Sequence, residues 1–460
     1  MGIAQGITMQ RTFALAAAAL LVSMNGAGAA AIPGNDATEA RATIDVAGLL
    51  TAAHGAPPMI CALAAQSVHG WGWSNWSDAP ATPLANMAVV RTRDDQLPAA
   101  DVDRLLAGLA SDDACVRELS VRLLGGQKGE PVARALMSRL GAPDAAMREI
   151  AAFGLGMLQP ASALDPLIKA LRDASPGVRA NSAWALGHIE SGRALAGLVA
   201  LFRDDTDKVR EAAVVAAGRI DSTSSIPALM RVLQQDESPA VRRVAAWALG
   251  QKEARDAVDV LATALGKESD PRVREMIAWA IGNSGGRSAS GALSSAMRRD
   301  ADDNVRESAA WALAEIGDRT SVDALGDVAA SDKSSRVRGT AAWAIGQLHG
   351  NGLKAPPGLY HVLKDENDDA RLKAAWALGN IGDASSLNEI RDALKVEKSN
   401  AVRKGLVRAL IKSGGRSEET LTELLGSSDA SVREAAVRGL AGSNSFNPWP
   451  WPWPRPRPFP

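Results

Sequence analysis

A motif centred on an arginine returns eleven times at intervals of 30 to 33 residues. Self-similarity at such a period means one supersecondary unit per interval, stacked on its neighbours. The arginines are Arg117, Arg148, Arg179, Arg210, Arg242, Arg274, Arg306, Arg338, Arg371, Arg403 and Arg433. Each interval has room for two short helices and two turns. The pattern therefore predicts an all-α fold, an α-solenoid of about eleven two-helix repeats over residues 97–442.

Helix-start signals keep the same register. Four residues before each arginine stands a favoured N-cap residue. These are Asp113, Asp144, Ser175, Thr206, Ser238, Asp270, Asp302, Ser334, Asn367, Ser399 and Asp429. Pro176, Pro239 and Pro271 follow directly, in the first helical turn where proline costs least. Glycine usually stands eight residues after the arginine, and we interpret it as a mark of the helix end, as in Gly187, Gly250 and Gly379.

The composition agrees with a helical interior and limits the partners. Apolar residues make up 46% of the chain but aromatic residues only 4%, so Ala, Leu, Val and Ile must form the core. Lys plus Arg (51) nearly balances Asp plus Glu (52), giving a net charge of −1. Nucleic-acid binding usually needs a basic excess, so we expect no nucleic-acid partner.

The segment VRRVAAWALG (241–250), with EIGD (315–318) and NIGD (380–383) after related motifs, resembles the HEAT-like repeats of the phycobilin-lyase type. The resemblance covers roughly residues 97–442. It implies a binding scaffold whose second helices line a concave surface.

Half of the 12 tryptophans occupy one position, five residues after the arginine. They are Trp184, Trp247, Trp279, Trp311, Trp343 and Trp376, here called the tryptophan row. On a helical wheel this position lies about 150° from the centre of the apolar stripe. Two interpretations stay open: the rings cover the small alanines between helices, or they form a groove that grips a partner.

The groove interpretation predicts the kind of partner. Rings one repeat apart would lie about 10 Å from each other, too far to stack. A polyproline II segment advances about 3.1 Å per residue, so every third residue would meet a new ring. We therefore predict an extended protein or peptide segment as the partner. Further contacts are predicted one helical turn away, at Arg243, Glu275 and Glu307.

The arginines fall at the edge of the apolar stripe. From there each can reach an acidic residue or a helix end in a neighbouring repeat. We predict structural ion pairs rather than a phosphate-binding stripe.

The N-terminal part does not follow the repeat. Arg11, an apolar run at 13–22 and small residues at 25–31 have the order of a secretory signal, so residues 1–31 predict export to the periplasm or cell surface. Residues 32–96 contain a predicted helix at 57–68 and a Trp/Gly/Pro-rich loop, and we expect them to cap the first repeat. Cys61 and Cys115 either pair or stay as buried thiols.

The C-terminal segment 443–460 alternates proline with Trp449, Trp451 and Trp453 and then with Arg455 and Arg457. Proline at this density favours extended polyproline II backbone. The segment resembles Trp/Pro/Arg-rich antimicrobial peptides, which implies a membrane surface as an alternative partner. Three interpretations compete: a disordered tail, a ligand for another domain, and a segment that docks onto its own groove.

No catalytic constellation is recognisable. The five histidines are scattered and none is followed by Glu, so the His-Glu pairs of deoxyhypusine hydroxylase, a HEAT-repeat enzyme, are missing. His54, Cys61 and His69 match no zinc-binding pattern. We expect a monomeric, non-enzymatic protein-binding scaffold without metal or cofactor. The alternatives are an enzyme of the repeat family, hydroxylase or bilin lyase, and a membrane-surface protein that uses its tail.

Overall fold

The computed structural model describes residues 45–56, 97–127, 129–348, 354–414, 422, 424–428 and 430–440. These residues form 22 α-helices and no strand, which confirms the predicted all-α solenoid. The chain divides into two units, Met1–Pro166 and Leu167–Pro460.

In the described part of the first unit five helices are complete: α1 (Val46–Ala53), α2 (Ala99–Gly108), α3 (Ala114–Gly125), α4 (Glu130–Arg139) and α5 (Ala145–Leu158). Helix α1 was not predicted. Its Ala53 packs with Cys115, Val116 and Leu119 of α3, so it covers the first repeat. The helix predicted at 57–68 and the Trp/Gly/Pro-rich loop lie outside the described residues.

Helix α6 (Leu164–Ala170) begins at the boundary, and the repeats of the second unit follow. First helices are α8 (Leu195–Ala200), α10 (Ile226–Gln235), α12 (Val258–Leu265), α14 (Ser290–Arg299), α16 (Val322–Ser331), α18 (Pro357–Val362) and α20 (Leu387–Val396). Second helices are α7 (Pro176–Ile189), α9 (Asp207–Arg219), α11 (Pro239–Gln251), α13 (Pro271–Ser284), α15 (Asp303–Glu315), α17 (Ser335–Gln347), α19 (Asp368–Ile381), α21 (Asn400–Lys412) and α22 (Ala430–Leu440).

The predicted helix starts are confirmed from Asp113 to Ser399, and Asp429 lies outside the described residues. Each of the confirmed residues is the N-cap of a second helix. The side chain caps the helix only where it is Asp or Asn: Asp113, Asp144, Asp270, Asp302 and Asn367 accept from the amides of the first turn. Ser238 and Ser334 make no such side-chain bond.

Most first helices of the second unit begin with a turn of 3-10 helix, and the IGD motif stands before two of these turns. Gly317 and Gly382 adopt φ of +67°, a backbone conformation that glycine reaches without strain. Asp318 and Asp383 then cap the 3-10 turn by accepting from the amides of Thr320 and Ser385. The motif therefore ends one helix and starts the next.

In the second unit, each second helix packs against the next one along the chain. The contact layer is made of alanine: Ala245, Ala246 and Ala248 of α11 are fully buried. Because these side chains are small, adjacent helices approach closely, and this spacing positions the tryptophan row.

Candidate partner-binding face

The tryptophan row lies on the second helices α7, α11, α13, α15, α17 and α19. Trp184, Trp311 and Trp343 are buried, with 3%, 8% and 2% of their surface exposed. Trp247, Trp279 and Trp376 are half-buried. The row therefore takes part in packing along its whole length, and three of its rings also keep some surface open to solvent.

Each of four rings lies over a glycine of the preceding repeat. A Cβ added at Gly218, Gly250, Gly282 or Gly346 would fall 2.6 to 2.7 Å from atom Cζ3 of Trp247, Trp279, Trp311 or Trp376, respectively. Our interpretation of the glycine eight residues after the arginine was incomplete. This glycine lies inside the second helix and has ordinary helical backbone. Because it has no side chain, it leaves room for the tryptophan of the next repeat.

One pair of rings contradicts the predicted spacing. The rings of Trp343 and Trp376 stack with their centroids 6.4 Å apart and their planes inclined by 12°. The prediction assumed helix axes about 10 Å apart, but axis separation depends on the side chains at the contact. A Cβ at Gly346 would lie 2.7 Å from the Cα of Ala377, so these helices approach more closely than assumed.

Phe153 occupies the tryptophan position in the first unit. Its ring is fully buried, and the Arg122 guanidinium lies 5.8 Å from the ring centroid. Arg122 also pairs with Glu118 at 3.1 Å. Burial lowers the pKa of Arg122 and raises that of Glu118, while their mutual attraction opposes both changes. Arg122 itself stands five residues after Arg117, at the tryptophan position of the preceding repeat. In that repeat a buried ion pair therefore takes the place of a tryptophan ring.

The predicted charged contacts each lie four residues before a tryptophan, on the same helix face. Glu307 is 6% exposed, accepts from Arg336 Nε at 2.7 Å and accepts from Thr340 Oγ1 at 3.1 Å. Burial raises the pKa of Glu307, and the nearby Arg336 opposes this rise. Glu307 is thus part of the packed structure, and it is less open to a partner than the sequence suggested.

Glu275 and Arg243 are half-buried and differ from Glu307. Burial, followed by the charges of Asp302 and Glu307, raises the pKa of Glu275; Arg336 and Arg243 act in the opposite direction. Among the described residues, no donor bonds to Glu275 and no acid pairs with Arg243. Together with the half-buried Trp247 and Trp279, they form a part of this face whose charged groups make no bond within the described chain.

The arginines form a ladder of ion pairs, as predicted. Seven pairs join successive repeats at 2.6 to 2.8 Å: Arg179–Asp204, Arg210–Asp236, Arg242–Glu268, Arg274–Asp300, Arg306–Asp332, Arg338–Asp365 and Arg371–Glu397. We call this set the arginine ladder. The hydrogen bond to its carboxylate is the first cause that raises the pKa of each of these arginines.

Sequence reasoning missed the acidic partners, although the signal was present. Each stands six residues before the arginine of its own repeat, at a fixed place before the N-cap. Burial disfavours ionisation of Asp204, Glu268, Asp300 and Glu397, yet bonds from the arginine and from the N-cap amide hold their pKa below the usual value.

Cavities in the second unit border the ladder. One of about 780 Å³ lies between α8 and α10 and is lined by Phe202, Arg210 and Asp236, among others. Smaller ones adjoin Arg306 and Arg371. No tryptophan lines these three. They are open clefts between charged helix ends.

Two kinds of feature are absent from the described residues. None of their helices is long and apolar enough to cross a bilayer. They also contain no group of three or more His, Cys, Asp or Glu residues arranged to hold a metal ion.

Several predicted features lie wholly or partly outside the described residues. These are the signal sequence, His69, Cys61 and the tail with Trp449, Trp451, Trp453, Arg455 and Arg457. Cys115 is disulfide-bonded, which excludes the free-thiol interpretation for this residue.

With this geometry in place, comparison with known proteins defines the family. Residues 133–218, 226–314, 290–356 and 356–441 match HEAT repeats. The matched segments cover more than half of the sequence, so the chain belongs to the HEAT-repeat family. No curated protein matches it.

Solved structures with a similar fold include the importins. Yeast importin-β (Kap95p) aligns with a TM-score of 0.54 and 16% identity over 86% of this chain and 62% of its own. Importin-β crystallised in ammonium sulfate aligns with a TM-score of 0.58 and 14% identity, over 86% of this chain and 64% of its own. This chain therefore spans less than two thirds of these proteins, and at such identities the likeness concerns the fold alone. Human deoxyhypusine hydroxylase aligns with a TM-score of only 0.26, at 22% identity over 54% of this chain and 96% of its own.

Proposed function

We propose that this chain is a non-enzymatic, monomeric protein-binding scaffold of the bacterial envelope. It holds an extended segment of a partner protein along the tryptophan row. The repeats are of the phycobilin-lyase type, on the strength of the VRRVAAWALG motif at 241–250.

The observation that carries the proposal is the face around Trp247 and Trp279. These rings are half-buried, and the equally half-buried Arg243 and Glu275 stand one turn before them. An aromatic surface beside charges that lack partners in the described chain combines the features of binding hot spots. Trp247 and Trp279 lie on successive second helices, α11 and α13, so an extended segment can contact both rings across two repeats.

Two further features support the proposal. Kap95p, which shares the fold, binds RanGDP, so a solenoid of this kind can serve as a protein-binding surface. For the envelope location, the support is the signal-like pattern of residues 1–31 and the disulfide at Cys115, because disulfides persist in oxidising compartments.

Affinity capture from an envelope extract tests the proposal. The bait with Trp247→Leu and Trp279→Leu should lose a partner that the unchanged protein retains. Leucine keeps part of the packing but removes the aromatic surface. Protease protection of the bound partner should then reveal an extended protected segment.

Trp184→Leu is the matched control, because Trp184 is buried and offers little surface to a partner. This variant should keep the partner, even though its thermal stability falls. A partner retained by the Trp247/Trp279 variant, or lost equally from both, would contradict binding along the row.

A further inference from the structure

Glu275 and Glu307 occupy the same position of successive repeats, directly after the ladder arginine. Glu307 is bonded by Arg336, which comes from the first turn of the next second helix. In the repeat before, the residue equivalent to Arg336 is Asn304. Its side chain accepts from Arg336 at 2.6 Å and brings no positive charge.

Two other glutamates at this position also have a cation from the chain. Glu118 pairs with Arg122 at 3.1 Å, and Glu211 pairs with Lys208 at 2.8 Å. Arg336 and Arg243 influence the charge of Glu275, but neither bonds to it. Glu275 is therefore a half-buried carboxylate that accepts no hydrogen bond from any described residue. The equivalent Glu307, bonded by Arg336, shows that a guanidinium can be accommodated at this position of the repeat.

We infer that Glu275 receives the guanidinium of Arg455 or Arg457 from the C-terminal tail of the same molecule. An arginine that bonds a carboxylate can also lie against an aromatic face. Trp279 supplies such a face four residues further along α13. Alternating proline keeps a segment extended without internal hydrogen bonds, so its arginine side chains stay available to a partner.

The chain is long enough for this contact. From the end of α22 at Leu440 to Arg455 is 15 residues, or about 46 Å of polyproline II. From α22 back to α13 there are five steps between adjacent second helices, or about 40–50 Å at the usual interaxial distances. The tail would then run along the tryptophan row in the direction opposite to the order of the repeats.

This inference goes beyond the proposed function and does not depend on it. A docked tail would cover the face around Trp279, and a partner would have to displace it. The tail would thus act as an internal competitor for the same surface.

Zero-length crosslinking of the full chain tests the contact. Arg455→Lys and Arg457→Lys provide amines, and a carbodiimide joins an amine only to a carboxylate that it touches. Peptide mapping of the monomer band should find an isopeptide bond between one of these positions and Glu275.

Two variants complete the experiment. Adding Glu275→Gln should abolish that bond, whereas Glu211→Gln should leave it unchanged, because Glu211 is occupied by Lys208. Crosslinks from the tail that avoid Glu275, no tail crosslink at all, or a bond to Glu275 found only in a dimer band would each overturn the inference. None of these results bears on the capture experiment, which tests the tryptophan row itself.

Discussion

The residue type at one position of a repeat depends on the side chain that the next repeat packs against it. Gly250 is glycine because Trp279 of the next repeat lies against it. Neither residue is explained by its own helix, since glycine weakens a helix and the tryptophan points away from the local apolar stripe. One repeat has alanine at this glycine position. Ala314 stands there, in the repeat before that of Trp343, and its side chain is buried.

Gly250→Ala should destabilise the protein by about 1–3 kcal/mol, the usual cost of overpacking. The new Cβ would lie 2.6 Å from the Trp279 ring and 2.9 Å from the Cα of Ala280, so backbone as well as side chain must move. Urea unfolding followed by circular dichroism measures the change.

Gly291→Ala is the matched control, because a Cβ there meets nothing within 4 Å. It should stabilise α14 by up to about 1 kcal/mol through helix propensity. If the two substitutions had the same effect, contact with the tryptophan would not explain the glycine.

The arginine ladder holds successive second helices together, and each of its acidic residues bonds both to an arginine of the preceding repeat and to the start of its own second helix. Asp300 accepts from Arg274 of the preceding repeat at 2.7 Å and from the amide of Asp302, the N-cap of its own repeat, at 3.0 Å. Arg306 in turn donates to the carbonyl oxygen of Asp300 at 3.0 Å. Each acid thus links the start of its own second helix to the arginines on both sides.

Asp300→Asn should lower the free energy of unfolding by about 1–3 kcal/mol, because it leaves a shielded guanidinium without its charged partner. Asp327→Asn removes the exposed pair with Arg298, where the side chains are 46% and 72% exposed, and should cost under about 1 kcal/mol. Equal losses in urea titrations would show that the ladder is no stronger than a surface pair.

Across the whole molecule, two sets of carboxylates respond to pH in opposite directions. The pKa values of the ladder acids Glu268, Asp300 and Glu397 are lowered, whereas those of Glu275 and Glu307 are raised. Since each repeat contacts only its neighbours, these local contributions add along the array.

The ladder acids stabilise the fold above their unfolded pKa, 3.8 for Asp and 4.5 for Glu, and this contribution is lost as the pH falls through the folded values. Glu307 is more easily protonated in the fold, so stability should rise as the pH falls toward about 5. Below about pH 4 the ladder acids dominate and stability should drop.

Urea midpoints from pH 7 to pH 3 measure this dependence. Glu307→Gln should remove much of the rise toward pH 5, and Asp300→Asn should reduce the drop below pH 4. A midpoint that falls steadily from pH 7 would contradict the opposing contributions.

Much of the fold could be predicted because the determinants of a solenoid are local and repeated. The helix starts from Asp113 to Ser399 and the first-turn prolines follow from patterns within one interval of the sequence, and the position of the arginines beside the apolar stripe predicted that they form ion pairs. Helix α1 escaped prediction because an eight-residue helix without a repeat has no such pattern, and its packing against Cys115 and Leu119 stabilises it.

The candidate site was less predictable, because it depends on which side chains meet between repeats. A helical wheel located the tryptophan row on one face, but it could not show that Trp343 and Trp376 stack, or that Glu307 is bonded by Arg336 while Glu275 is not. Sequence periodicity specifies the helices and their order, because capping and apolar spacing act within one helix. The distance between neighbouring helices, and hence the burial of each ring and the partner of each charge, follows only from packing, where small differences between Gly, Ala and larger side chains set the separation.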